Sequence, residues 1–174
     1  MKLGSVPGIT SVSLRSVEQT TTELRKLLAR LRENDPTLEA AAVQAAELAH
    51  EQSAGVLALV EHPGADPGIL VGGIVPVDRA VTIENAAELR YYLADAGGPG
   101  LREVTQAETA RGYPVVITER ILLGGAQLQA VVLDRAGARA AVFTLHSPSG
   151  RGWLDLAAVA GRLVTSVDFT ARVP

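Results

Sequence analysis

The chain has 174 residues, 47% of them hydrophobic, with a formal net charge of −3; this suits one domain with a sizeable core and excludes wholesale disorder. It lacks cysteine, so disulfides, thiolate catalysis and sulfur-built zinc sites are excluded. An isoelectric point near 5.6 without a Lys/Arg cluster leaves out the electrostatic footprint of a nucleic-acid binder.

The N-terminal stretch MKLGSVPGITSVSLRS has one Lys and no apolar run of signal-peptide type. Its ITSVSLR portion reads as an edge strand. Ser16 then opens a helix with Gln19 three positions on, a capping-box pattern. Leu24, Leu27, Leu28 and Leu31 form one apolar stripe. Arg25, Lys26, Arg30 and Arg32 lie between these leucines, and a solvated face is preferred to a phosphate-binding patch. Asn34-Asp35-Pro36 ends this helix and starts another, with Asp35 as cap and Pro36 in the first turn. The second helix is Ala-rich, with Leu38, Ala41, Ala42, Ala45, Leu48 and Ala49 as a smooth face, and is expected to end at Gly55.

Two strands follow, Val56 to Glu61 and Ile69 to Val77, joined by the Pro/Gly-rich connection His62 to Gly68. Gly72-Gly73 inside the second strand predicts a bulge or bend. The longest apolar stretch, ILVGGIVPV, falls well short of the ~20 residues needed to cross a bilayer. Thr82 is the expected cap of a third helix, IENAAELRYYLADA, whose apolar face is Ile83, Ala86, Leu89, Leu93 and Ala96. Gly97-Gly98-Pro99-Gly100 closes it. Leu101 to Thr109 reads as a weak, polar edge strand.

The last third carries the clearest pattern. YPVVITERILL, QLQAVVLD and ARAAVFTLH are strands joined by connections short enough to make them antiparallel neighbours. Val115, Ile117, Ile121 and Leu123 alternate with Val116, Thr118, Arg120 and Leu122, giving one apolar face and one mixed face. WLDLAAVAGRLVTSV then forms a helix whose Trp153, Leu156, Ala160, Leu163, Val164 and Val167 share a stripe. The pattern implies an α+β fold. We expect a three-layer α/β/α sandwich with a mostly antiparallel sheet of about six strands and the C-terminal helix packed on it. It is read as a single domain over residues 1–174, with a helical N-terminal segment at 16–54.

Candidate chemistry is sparse. His50 and His62 are separated by a strand, without a metal-ligand spacing. His146 precedes Ser147 and Ser149, but adjacent strand positions face opposite sides and no Gly-x-Ser-x-Gly elbow exists. A polar strand end is the preferred reading of His146. Gly97-Gly98-Pro99-Gly100 ends a helix, where the dipole has the wrong sign for phosphate, and lacks the Lys-Ser/Thr of a P-loop. Glu84 and Glu88, at i and i+4 opposite the apolar stripe, read as a solvated pair. Asp95, Glu103, Glu108 and Glu119 are not brought into any cleft by sequence argument. Cofactors and metals are therefore not expected.

Aromatic residues are only 3% of the chain. Tyr91 and Tyr92 lie about 100° apart on their helix, so both cannot enter the core. Trp153, the single tryptophan, stands beside Arg151 and reads as a core anchor or a partner contact, since Trp and Arg are favoured at interface hot spots. Tyr91, Tyr92, Arg151 and Trp153 are thus the candidate contact residues.

Tyr113 to Phe169 resembles the C-terminal part of the PsbP-like superfamily, which includes a photosystem II extrinsic subunit and a Mog-type Ran-binding import factor. The resemblance lies in the consecutive strands, the closing AVFTLHSP strand, a short polar loop, and LAAVAGRLVTSV running into VDF; GVLALV and ILVGGIVPV match more loosely. VPGITSVSL and the two helices of residues 16 to 54 depart from the family pattern, and no family functional residue maps onto this chain. The resemblance implies an α/β/α sandwich serving as a non-enzymatic interaction or adaptor module. An abundance of Arg over Lys and of Ala suggests a bacterial source. The expected setting is cytoplasmic, with a protein partner or a second copy, and no nucleic acid or membrane. The alternative is a small apolar-ligand binder with a pocket between sheet and terminal helix.

Overall fold

The computed structural model describes residues 1–32, 35–77 and 83–170. Its elements run β1 (Ile9–Ser11), α1 (Val17–Leu31), α2 (Pro36–Glu51), β2 (Val56–Val60), β3 (Gly68–Pro76), α3 (Ile83–Ala96), β4 (Leu101–Glu108), β5 (Pro114–Leu122), β6 (Gly125–Leu133), β7 (Arg139–Ser147) and α4 (Trp153–Thr165). Among the described residues the fold is α+β, with four helices and one antiparallel sheet of seven strands in the order β1-β2-β3-β7-β6-β5-β4. That is one strand more than the sequence pattern suggested. Asn34 and Thr82, expected at helix boundaries, and the side chain of Glu84 lie outside the described residues.

Local chemistry sets the helix starts. Ser16 Oγ accepts the Gln19 N–H at 3.2 Å, and Asp35 Oδ1 accepts from Thr37 and Leu38 with Pro36 in the first turn, so donors that lack intrahelical partners are satisfied. The end of α2 differs from expectation. The helix stops at Glu51 rather than at Gly55, because Ser53 takes a left-handed conformation at φ 50° and Ala54 N–H donates back to Ala49 at 2.8 Å.

The β2–β3 hairpin and the β5–β6–β7 meander join through β3 and β7, paired from Ile69↔His146 to Pro76↔Arg139. The polar strand β4 is at an edge, as its composition suggested. Its charged residues and a register shift between Leu101 and Glu103 make it a poor template for another strand.

Sheet alternation divides the core. Ala141, Phe143 and Leu145 of β7 share one cluster with Leu128, Ala130 and Val132 of β6 and with α4 residues from Trp153 to Val164. Each large side chain buried there contributes about 1.5–3 kcal/mol. Ile69 and Val71 point the other way and pack with Leu24, Leu28, Leu38 and Ala42 of α1 and α2. Farther along that side Ala86 of α3 packs on Val116, Leu133 and Ala140. Beyond α4, Phe169 meets Tyr113 edge-on at 5.0 Å between ring centroids.

Gly72 and Gly73 do not mark a bulge; β3 keeps unbroken register with β7 through both. Gly72 pairs directly with Phe143, and a Cβ there would stand 2.5 Å from the ring. The missing side chain is filled by a neighbour's aromatic ring, so the strand stays regular.

Candidate functional sites

Among the described residues, three places hold chemistry-bearing side chains of interest. The first is a groove of about 810 Å³ between the N-terminal segment, the end of α1, the β2–β3 loop and the β7–α4 loop. At its base is Asp66, only 6% exposed. Asp66 Oδ1 accepts from Arg32 Nη2 at 2.8 Å, Arg151 Nε at 2.8 Å and Arg151 Nη2 at 2.6 Å. Its Oδ2 accepts from the Ser149 hydroxyl at 2.8 Å. Burial alone would raise the Asp66 pKa, but the Arg151 and Ser149 hydrogen bonds and the charges of Arg151 and Arg32 outweigh it and hold the carboxyl below its ordinary 3.8.

The charged lining is balanced, with Arg32 and Arg151 facing Glu61 and Asp66. Such an arrangement ties three separate segments together through donors to both carboxylate oxygens. Arg32, read from sequence as part of a solvated face, is one arm of this clamp. Because the folded pKa is depressed, the contribution of Asp66 to stability is present above about 3.8 and is lost as pH falls through the folded value. Chemical denaturation of wild type and Asp66→Asn below pH 4 is expected to show the steeper loss in wild type.

The second place is around His146. The register sets Ile69, His146 and Gln127 side by side across β3, β7 and β6. Ser147 lies on the opposite face, buried, with its Oγ accepting from Gly150 N–H at 3.1 Å, and Ser149 is engaged by Asp66. The geometry thus does not bring either serine to His146 as a nucleophile–base pair. His50 instead meets Thr20 Oγ1 at 3.1 Å, tying α2 to α1. His62 Nδ1 lies 3.5 Å from Asp155 Oδ2. Among the described residues, no group of three or more His, Asp or Glu could hold a metal ion, and no helix is long and apolar enough to cross a membrane.

The third place is the outer surface of α3. Tyr91 and Tyr92 are 66% and 70% exposed, so neither ring enters the core. The Arg90 guanidinium lies over the Tyr91 ring at 4.7 Å. Arg120 anchors the loop after α3, donating to the carbonyls of Gly97 at 3.1 Å and Pro99 at 3.3 Å. Trp153 is 6% exposed, and its indole N–H donates to Glu119 Oε1. Arg151 is held in the Asp66 clamp. The four candidate contact residues therefore do not form one patch.

No family model matches the chain, and no curated protein matches it either.

Sequence reasoning missed Asp66, which looks like an ordinary turn residue within HPGADPG. Its partners lie 34, 83 and 85 residues away, so no local pattern announces them. Gln127 escapes for the same reason, since only the strand register places it beside His146, whereas Thr144 stands two residues from His146 on the same face of β7.

Proposed function

We propose that the protein is a non-enzymatic interaction module of a cytoplasmic bacterial protein, with Arg90, Tyr91 and Tyr92 of α3 as the contact surface. One observation carries this reading. The chain has six aromatic residues, one Trp, three Tyr and two Phe. Tyr113, Phe143, Trp153 and Phe169 are all 8% exposed or less, whereas Tyr91 and Tyr92 are adjacent on one helix and in solvent. Tyr and Arg are the residue types that dominate interface hot spots, because they offer large, rigid contact area with a polar end.

The accompanying architectural reading is a three-layer α/β/α sandwich, with α4 on one face of the sheet and α1, α2 and α3 on the other. It is supported by the alternation of cluster membership along β3 and β7. The PsbP-like resemblance of Tyr113 to Phe169 belongs to the same proposal. In it Trp153 and Arg151 serve the fold, and the partner is another protein or a second copy.

Velocity sedimentation of tagged protein in cell extract tests the function. Wild type is expected to run as a discrete species heavier than the monomer. Tyr91→Ala/Tyr92→Ala is expected to run as monomer, with stability within about 0.5 kcal/mol of wild type because both positions are on the surface. Wild type running only as monomer would count against the proposal.

A further inference from the structure

We propose that the cavity between α2 and the α2-facing side of β3, β7 and β6 is a binding site for a small, neutral, amphipathic molecule of about the size of phenol or indole. This site is separate from the tyrosine pair and does not depend on it. The cavity measures about 240 Å³, just below the about 300–1,000 Å³ typical of sites for drug-sized ligands.

Sequence explains why space exists there. Of the expected apolar face of α2, Leu38, Ala41, Ala42 and Ala49 are buried, with Ala46 beside them, while Ala45 is only partly buried and Leu48 is 39% exposed. Ala45 and Leu48 are thus turned to the side of the helix, where they wall the cavity together with Ile69 and Val71. A methyl at position 45 leaves unfilled volume that a larger side chain would occupy.

Four polar side chains face this apolar wall: Gln44, Gln127, Thr144 and His146. Among the described residues none of the four makes a side-chain hydrogen bond to another protein group. An apolar cavity with a few convergent, unengaged polar groups is the pattern of a small-molecule site. Among the described residues, none of those lining the cavity is Asp, Glu, Lys or Arg, so none of them offsets the desolvation of an ionic ligand. Burial pushes His146 below its ordinary pKa of 6.5, which leaves the ring neutral at pH 7. A neutral imidazole offers one donor and one acceptor. That pair matches a hydroxyl or ring N–H on a ligand whose remaining surface is apolar.

The test is an NMR titration of the ¹⁵N-labelled protein with phenol and with indole, and with benzoate and benzylammonium as charged counterparts. The proposal expects saturable shifts of the Gln127, Thr144 and His146 amides with phenol or indole, and at least tenfold weaker binding of both charged probes. Ala45→Leu is expected to weaken binding at least tenfold while leaving the rest of the spectrum and the melting temperature intact. Thr144→Val, an isosteric change that removes a hydroxyl, provides a second variant and is expected to weaken phenol binding severalfold. Absence of saturable shifts with either neutral probe would overturn the proposal. So would equal affinity for the charged probes, or affinity unchanged in both variants.

Discussion

Gly72→Ala is expected to destabilise the wild-type protein by about 1–3 kcal/mol yet to stabilise a Phe143→Ala protein by about 0.5–1 kcal/mol. The reversal follows from their direct pairing across β3 and β7. A Cβ at position 72 would stand 2.5 Å and 2.9 Å from two atoms of the Phe143 ring, and that ring is fully buried, so it has nowhere to move. Phe143→Ala alone should cost about 3–5 kcal/mol, the range for emptying a buried aromatic site. Once the ring is gone, the glycine keeps only its disadvantage of excess freedom in the unfolded chain. Gly73→Ala is the control, since its added Cβ would meet Ala54 at an ordinary 3.7 Å. Urea denaturation of the four proteins of the cycle checks this. Additivity of the two changes to within about 0.5 kcal/mol would contradict it.

Asp66→Ala is expected to cost about 2–4 kcal/mol, the range for breaking a buried, charge-assisted hydrogen-bond network. The melting temperature should drop by roughly 5–10 °C for a chain of this size. The asymmetry of the network makes the prediction specific. Asp66 is buried, whereas the side chains of Arg32 and Arg151 are 43% and 67% exposed. Removing one arginine leaves the other against the carboxylate, so Arg32→Ala should cost less than about 1 kcal/mol. Removing both leaves a buried charge facing only Ser149. The double variant should therefore lose more stability than the sum of the single ones, and the Asp66 carboxyl should titrate at higher pH. A double variant whose loss equals that sum would show that the clamp does not act as a unit.

The segments legible in the sequence are those whose own pattern decides their structure. The alternation of β6 and β7 and the stripe of α4 needed no distant partner, and Ser16 and Asp35 cap helices through N–H groups only two or three residues away. On β5 the expected apolar face holds at Val115 and Ile117, whereas Ile121 and, just past the strand, Leu123 are exposed. What escaped reading is non-local. The pairing of β3 with β7 joins stretches some seventy residues apart, and it decides the fate of Gly72, the surroundings of His146 and the company of Asp66. The small alanines of α2 gave a helix without a strongly preferred face, so the sequence could not tell that Ala46 is buried while Ala45 is only partly covered and Leu48 is exposed. For the two tyrosines, helix geometry required that at least one ring leave the core; the packing of α3 leaves both outside.

The proposed role rests on the α3 surface, and photo-crosslinking in living cells tests it most directly. A photoreactive residue at position 91 or 92 should give one adduct of discrete mass, repeated between preparations, whereas the same residue at the exposed position 39 of α2 should not give it. Equal labelling from position 39, or only uncrosslinked monomer from positions 91 and 92, would contradict an interaction surface on this helix.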